Sequence, residues 1–204
     1  MKLKNITFQL IFPIKLIIHI FVFHKSITAF MPKFDKYNDN VDIHLTTEHP
    51  SYLTKFTLNL ETGIATEQML LNLVVERPSY NTGVLSPTIT YLRSEGETSR
   101  EMGTEIVKYD LKNERIMGTF KCEEECVFGE AYFVSSNGKS GKHLGAEDDG
   151  YLMDIVYHPK SNSSSFVVID AKSMNSKPVF LSKLPQRVPF GVHGIWFDQD
   201  HLKN

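Results

Sequence analysis

Phe56-Thr57-Leu58-Asn59-Leu60 alternates apolar with polar residues and then breaks at Glu61-Thr62-Gly63. A period of two marks a β-strand with one face buried, and the glycine-containing break marks a turn. The chain returns through Met69-Leu70-Leu71-Asn72-Leu73-Val74-Val75, so residues 52–75 read as a hairpin. The same unit recurs outward. Val107, Tyr109 and Leu111 alternate, Lys112-Asn113-Glu114 turns, and Ile116 to Phe120 returns. Tyr151 to His158 and Phe166 to Ala171 flank the polar loop Pro159 to Ser165, and Pro178 to Leu184 and Val192 to Phe197 add two more runs. No stretch carries a sustained apolar i, i+3, i+4, i+7 stripe, so helix is expected to be minor. The class is all-β, which leaves a sandwich, a barrel or propeller blades open. Roughly ten to twelve strands would make two to three four-stranded blades, fewer than a closed propeller needs.

Composition is that of a globular chain: 204 residues, 41% hydrophobic, 11% aromatic and 23% charged. That excludes a disordered tail, a collagen-like chain and a disulfide-dense scaffold. Lys+Arg of 22 against Asp+Glu of 24 leaves no basic excess to hold phosphates, so nucleic acid is not an expected partner. Cys122 and Cys126 are too few for a disulfide framework, and no second Cys/His pair with zinc-finger spacing follows. They read as two ordinary thiols, with a metal pair as the alternative.

Met1 to Phe23 has two early lysines followed by Ile, Leu, Phe and Val. This is the outline of a secretory signal, although Ile27 occupies a position where a cleavage site wants a small residue. A membrane-spanning helix would carry Lys15 near its middle at a cost of about 2.5–3.5 kcal/mol, with Pro13 and His19 against it as well. The third reading is a pair of Ile- and Phe-rich strands, the remnant of an upstream blade. Residues 1–30 are therefore set apart from a body at 50–204. Location stays open between cytoplasmic or membrane-associated and secretory.

Four ordered phrases in the C-terminal part carry a resemblance. Gly129-Glu130-Ala131-Tyr132-Phe133-Val134 resembles the G-E-P-x-F-V segment of the carotenoid cleavage dioxygenases, and Glu147-Asp148-Asp149-Gly150-Tyr151-Leu152 resembles their E-D-D-G-Y-L turn. Phe166 to Ala171 is similar to the strand ending V-L-D-A, and Leu184 to Trp196 to the closing L-P-x-R-V-P-x-G-F-H-G-x-W phrase. Upstream, Leu53 to Gly63 resembles the L-x-R-x-x-L-N-L-x-T-G hairpin, and Glu76-Arg77-Pro78 fits the E-x-P after it.

The resemblance implies a seven-bladed β-propeller with Fe(II) on its axis, held by four histidines, three of which are backed by glutamates. It implies O₂-dependent splitting of a C=C bond in a carotenoid, apocarotenoid or stilbene. His193 matches the last metal ligand, and Glu130 and Glu76 match glutamates behind the ligands. Neutral imidazole suits Fe(II), and a carboxylate on the other ring nitrogen fixes its tautomer. Gly191 and Gly194 would let the backbone crowd toward the axis. The apolar substrate class makes peripheral membrane contact a further expectation. The Asp148-Asp149-Gly150 stretch lacks calcium-loop spacing and reads as a hairpin turn using Asp and Gly for their backbone preferences.

The sequence departs from the family's pattern at its start. Phe23-His24-Lys25-Ser26-Ile27-Thr28-Ala29-Phe30 only loosely matches the phrase carrying the third histidine. Without a gap the ligand column falls on Lys25; with one inserted residue it falls on His24. His44, His49, His143, His158 and His201 match no ligand phrase. Non-haem Fe(II) oxygenases need several protein ligands, so the chain is expected to be the C-terminal portion of such an enzyme, truncated and inactive alone. The competing expectation is a non-catalytic β-protein that keeps the scaffold and binds an apolar ligand or partner chain.

Overall fold

The computed structural model describes residues 19–23, 25–34, 50–94, 103–122, 126–137, 145–189, 191, 194, 196 and 197. Among these, every regular element is a strand: β1 (His19–Phe23), β2 (Ser26–Phe34), β3 (Ser51–Asn59), β4 (Ala65–Ser79), β5 (Ile89–Ser94), β6 (Glu105–Asp110), β7 (Arg115–Lys121), β8 (Tyr132–Ser135), β9 (Gly150–His158), β10 (Ser163–Asp170) and β11 (Phe180–Lys183). β1 to β7 form one antiparallel sheet in chain order, and β8 to β11 form a second. The long strand β4 divides the first sheet. Residues 65–74 pair with β3, whereas Val75 to Ser79 pair with β5 across a register shift. The result is three four-stranded antiparallel meanders, the plan of propeller blades. All-β architecture and hairpins over 52–75, 104–120 and 150–184 follow the sequence reading. Residues 19–34 are a β1–β2 hairpin paired onto β3, and residues 1–18 lie outside the described part.

One local device repeats at the turns. Asn59 Oδ1 accepts the amides of Glu61 (2.9 Å) and Thr62 (3.0 Å), and Gly63 takes φ +72°. Asp110 Oδ1 accepts the amides of Lys112 (3.0 Å) and Asn113 (2.9 Å), and Asp170 Oδ1 those of Lys172 (2.9 Å) and Ser173 (2.8 Å). A short side chain that satisfies two backbone donors makes each strand end a turn.

Burial departs from simple alternation. Every residue of β6 is buried, and β5 is nearly so. The middle meander is covered on both faces. On one side Leu92 and Tyr109 pack with Phe30, Leu53, Val75 and Leu111. On the other, Tyr91, Ile106 and Phe120 pack with Phe128, Phe133, Leu152, Val156, Val167 and Ile169. The stripe Phe56, Leu58, Leu60 is by contrast only half-buried, with Leu60 exposed; the buried apolar residue of that strand is Leu53. Cys122 and Cys126 are joined in a disulfide, correcting both the free-thiol and the metal-pair reading. Loop closure brings their Cα atoms to 6.3 Å, within bridging range.

Two acidic side chains tie the sheets together. Glu147 Oε1 accepts the amides of Thr88 and Ile89, each at 2.7 Å, while its Oε2 accepts the Thr88 hydroxyl at 2.7 Å. Lys108, only 2% exposed, donates to Asp148 Oδ2 at 2.7 Å and to the Lys172 carbonyl at 3.0 Å. Glu147 and Asp148 are thus cross-sheet anchors as well as turn residues, the turn being closed by the Asp149 amide donating to the Ala146 carbonyl at 2.9 Å. Gly150 is a close-approach glycine: a Cβ there would stand 2.6 Å from Phe133 Cζ. Asp148→Ala is expected to lower stability by about 3 kcal/mol in urea denaturation, because it strands a buried ammonium. The double change Lys108→Met with Asp148→Leu should recover most of that loss.

Candidate functional site

Where the second and third meanders meet the C-terminal segment, the fold leaves a cavity of about 270 Å³. Its walls are chiefly apolar, with Tyr132, Tyr157, Phe166 and Trp196 among them. Three charged side chains also line it: Arg77, Glu130 and Asp154.

Arg77 enters from the upper half of β4, where the ladder to β5 slips between Glu76 and Ser79. The slip places Arg77 at φ +51°, a conformation few non-glycine residues adopt. Its guanidinium donates through Nη1 to the Gly191 carbonyl at 3.1 Å. Burial, and after it the nearby Arg93, lower the Arg77 pKa; Glu130, Glu76 and Asp154 act the other way. Glu130 sits just ahead of β8 and accepts the Gly194 amide on Oε2 at 2.9 Å. The cationic and anionic groups therefore hold the terminal segment at two points, Gly191 and Gly194. Glu76 accepts Arg93 Nη2 at 2.9 Å, with the Arg93 side chain 5% exposed.

Asp154 on β9 is the site's buried acid, at 6% exposure. Its neighbours on the same strand face, Leu152 and Val156, are core residues. Oδ1 accepts the Ile155 amide at 2.7 Å and is also supported by the Gly129 amide, whereas Oδ2 has no partner among the described residues. Gly129 is required for this approach, since a Cβ would lie 2.7 Å from Oδ1. Burial pushes the carboxyl up to about 7, against the pull of the two amides and of Arg77 and Arg93.

Of the site residues expected from sequence, Glu76 and Glu130 lie near enough to Arg77 to act on its charge. His193 and His24 lie outside the described residues. Lys25, the other candidate in that column, pairs with Glu61 at 2.6 Å on the surface. His158 ends β9 with Nε2 3.0 Å from Ser165 Oγ. No group of three or more His, Cys, Asp or Glu comes together among the described residues, which by themselves do not make a metal centre. A Cβ at Gly191 or Gly194 would meet nothing within 4 Å, so the expected backbone crowding is not what calls for glycine there. Asp154 was missed in the sequence, yet a signal exists: an acid stands at an inward parity between Leu152 and Val156.

The three meanders define a carotenoid-oxygenase type of β-propeller scaffold. The Synechocystis apocarotenoid oxygenase, solved also in cobalt-substituted form, superimposes with a TM-score of 0.74 at 22% identity, covering 88% of this chain and 38% of that one. The sequence model of the RPE65 family, described as retinal pigment epithelial membrane protein, matches residues 14–198, and the chain belongs to this carotenoid oxygenase family. The carotenoid 9,10(9′,10′)-cleavage dioxygenase 1 of Pisum sativum is 32% identical over 164 residues, 74% of this chain and 30% of that protein. A zeaxanthin 7,8(7′,8′)-cleavage dioxygenase of Crocus sativus is 41% identical over 77 residues, 38% of this chain and 20% of that protein. The chain thus spans about 30% of the length of the carotenoid 9,10(9′,10′)-cleavage dioxygenases it matches, and less of several other relatives.

An Asp in an unfolded chain titrates near 3.8, and the folded protein holds its Asp154 proton to about 7. Between those values the folded state binds the extra proton, so stability falls as pH rises from about 4 to about 7 and levels off above. Urea midpoints at pH 5 should exceed those at pH 8, the effect amounting to roughly 2–4 kcal/mol at most. Asp154→Asn should flatten that profile.

Proposed function

We propose that this chain carries part of the scaffold of an Fe(II)-dependent dioxygenase that cleaves a double bond of a carotenoid or apocarotenoid. A stilbene substrate falls within the same reading. The match of the family's sequence model over residues 14–198 carries the proposal. The cobalt-substituted relative of the same fold supports a metal requirement. In this reading His193 is one iron ligand, with Glu130 and Glu76 behind the metal layer. Bound iron would supply activation of O₂. The described residues do not form its donor set, so no step is routed through it.

What the chain's own groups do is narrower. Glu130 and Arg77 hold the backbone at Gly194 and Gly191, on either side of position 193. Such a tether limits where the side chain at 193 can go, which is how supporting groups orient a ligand. The chiefly apolar cavity walls suit a hydrocarbon substrate. The same walls favour a second reading, a non-catalytic protein that keeps the scaffold and binds an apolar ligand.

One secure histidine does not hold iron tightly. The 204-residue chain is therefore expected to bind Fe(II) weakly and to release no apocarotenoid in an O₂-dependent assay. Residues 50–204 grafted in place of the matching part of the Pisum sativum relative should restore iron content and turnover. His193→Ala in that graft should abolish both. Turnover by the ungrafted chain, or an active His193→Ala graft, would refute the assignment.

A further inference from the structure

We infer that the exposed edge strand β11, with the basic residues that bracket it, docks reversibly on an anionic lipid surface. The face is separate from the proposed metal chemistry and does not depend on it. Exposure, charge and the form of the edge together carry the inference.

Val179, Phe180 and Leu181 follow one another in the chain and are 59%, 51% and 55% exposed. β11 pairs only with β10, so its other edge faces outward. Alternation along a strand puts Phe180 on one side of the sheet and Val179 and Leu181 on the other. The edge itself, rather than one face, is therefore apolar. The Phe180 ring stands 6.4 Å from the Phe166 ring of β10, which fixes its place there. Single apolar residues on a surface are ordinary, but three in succession on an open edge ask for a cover.

Charge names the cover. From Ala171 to Phe197 the chain carries Lys172, Lys177, Lys183 and Arg187 and no Asp or Glu, although the whole protein has a net charge of −2. All four cations are exposed. Lys172 and Lys177 precede β11, Lys183 ends it and Arg187 follows, so positive charge brackets the apolar edge. Lys177 and Lys183 enter no ion pair among the described residues. Asp170 is the single acid of β10 and β11, and its Oδ1 is taken up by the Lys172 and Ser173 amides.

A protein strand added to this edge is the less favoured cover. β11 has only four residues, Lys183 closes it, and Pro178 just ahead of it has no N–H to offer. Short edges with lysine and proline are poor templates for a further strand. An anionic bilayer needs no such ladder. Its hydrated headgroup layer satisfies the open backbone groups, its acyl boundary takes the three apolar side chains, and its phosphates meet the cations. A small apolar wedge and a basic cluster are two weak signals whose sum gives reversible attachment.

Cosedimentation of the 204-residue chain with vesicles tests this. Binding to phosphatidylcholine vesicles containing about one-third phosphatidylserine should exceed binding to pure phosphatidylcholine by tenfold or more, and should fall steeply as salt rises from roughly 0.1 to 0.5 M. Lys177→Gln with Lys183→Gln should weaken attachment by about tenfold or more. Phe180→Ser with Leu181→Ser should abolish it, with an unchanged thermal midpoint showing that the fold is kept. Where that pair of changes disturbs folding, the lysine variant and the salt series on the unaltered chain decide. Equal binding to neutral and anionic vesicles, no binding to either, or full binding by the Phe180/Leu181 variant would overturn the inference. So would self-association that the same variant removes without any vesicle binding by the parent chain, which would make the edge a protein interface. Neither iron nor turnover enters the measurement, so its failure is distinguishable from failure of the dioxygenase reading.

Discussion

The buried pair Lys108–Asp148 is the contact on which the arrangement of sheets depends. Lys108 lies in β6, a strand with apolar neighbours on both faces, and its ammonium has no route to water. A charge in that position is tolerable only with a counter-charge and further hydrogen bonds. Asp148 and the Lys172 carbonyl supply them, both from the second sheet. Glu147, the preceding residue, meanwhile caps the amides that open β5. Two adjacent acids thus fix where the β8–β11 sheet docks on the β4–β7 meander. Between the sheets, the Tyr91 and Phe133 rings stack at 5.8 Å and the Phe120 and Phe128 rings meet edge-on at 6.0 Å. The aromatic seam supplies the area and the acids supply the register.

The candidate site is a consequence of that docking. With the second sheet in place, Arg77 from the first sheet and Glu130 and Asp154 from the second face one cavity, and Gly191, Gly194 and Trp196 also line it. Positive φ at Arg77 is a local cost borne at the slip in the ladder. The slip turns a strand residue toward the seam, where its guanidinium reaches a backbone carbonyl 114 residues later in the chain. Asp154 is likewise an acid held where its charge is disfavoured, with one backbone-supported oxygen and one left over.

Family membership and activity are separate matters here. The strand order, the hairpin turns and the family match agree about the scaffold. The Pisum sativum relative is matched over only 30% of its length. β11 is exposed along its whole length, with Phe180 and Leu181 about half exposed.

By itself the sequence determined the strands, the turns and the family. Asn59, Asp110 and Asp170 act on amides two and three residues away, so their effect is written in adjacent letters. Ordered phrases such as Gly129-Glu130 and Leu184 to Pro189 marked the scaffold for the same reason. Tertiary structure alone decided what β5 and β6 face, because a strand covered on both sides shows no alternation. It alone decided that Cys122 and Cys126 are bridged, that the turn residues Glu147 and Asp148 also anchor one sheet on the other, and that Asp154 and Arg77 line one cavity. The disulfide joins residues four apart, but the acidic anchors join residues 40 or more positions apart, and neither partner's neighbours in the chain name the other. A lone acid among apolar residues announces that something unusual is buried; only the packed sheets show what surrounds it.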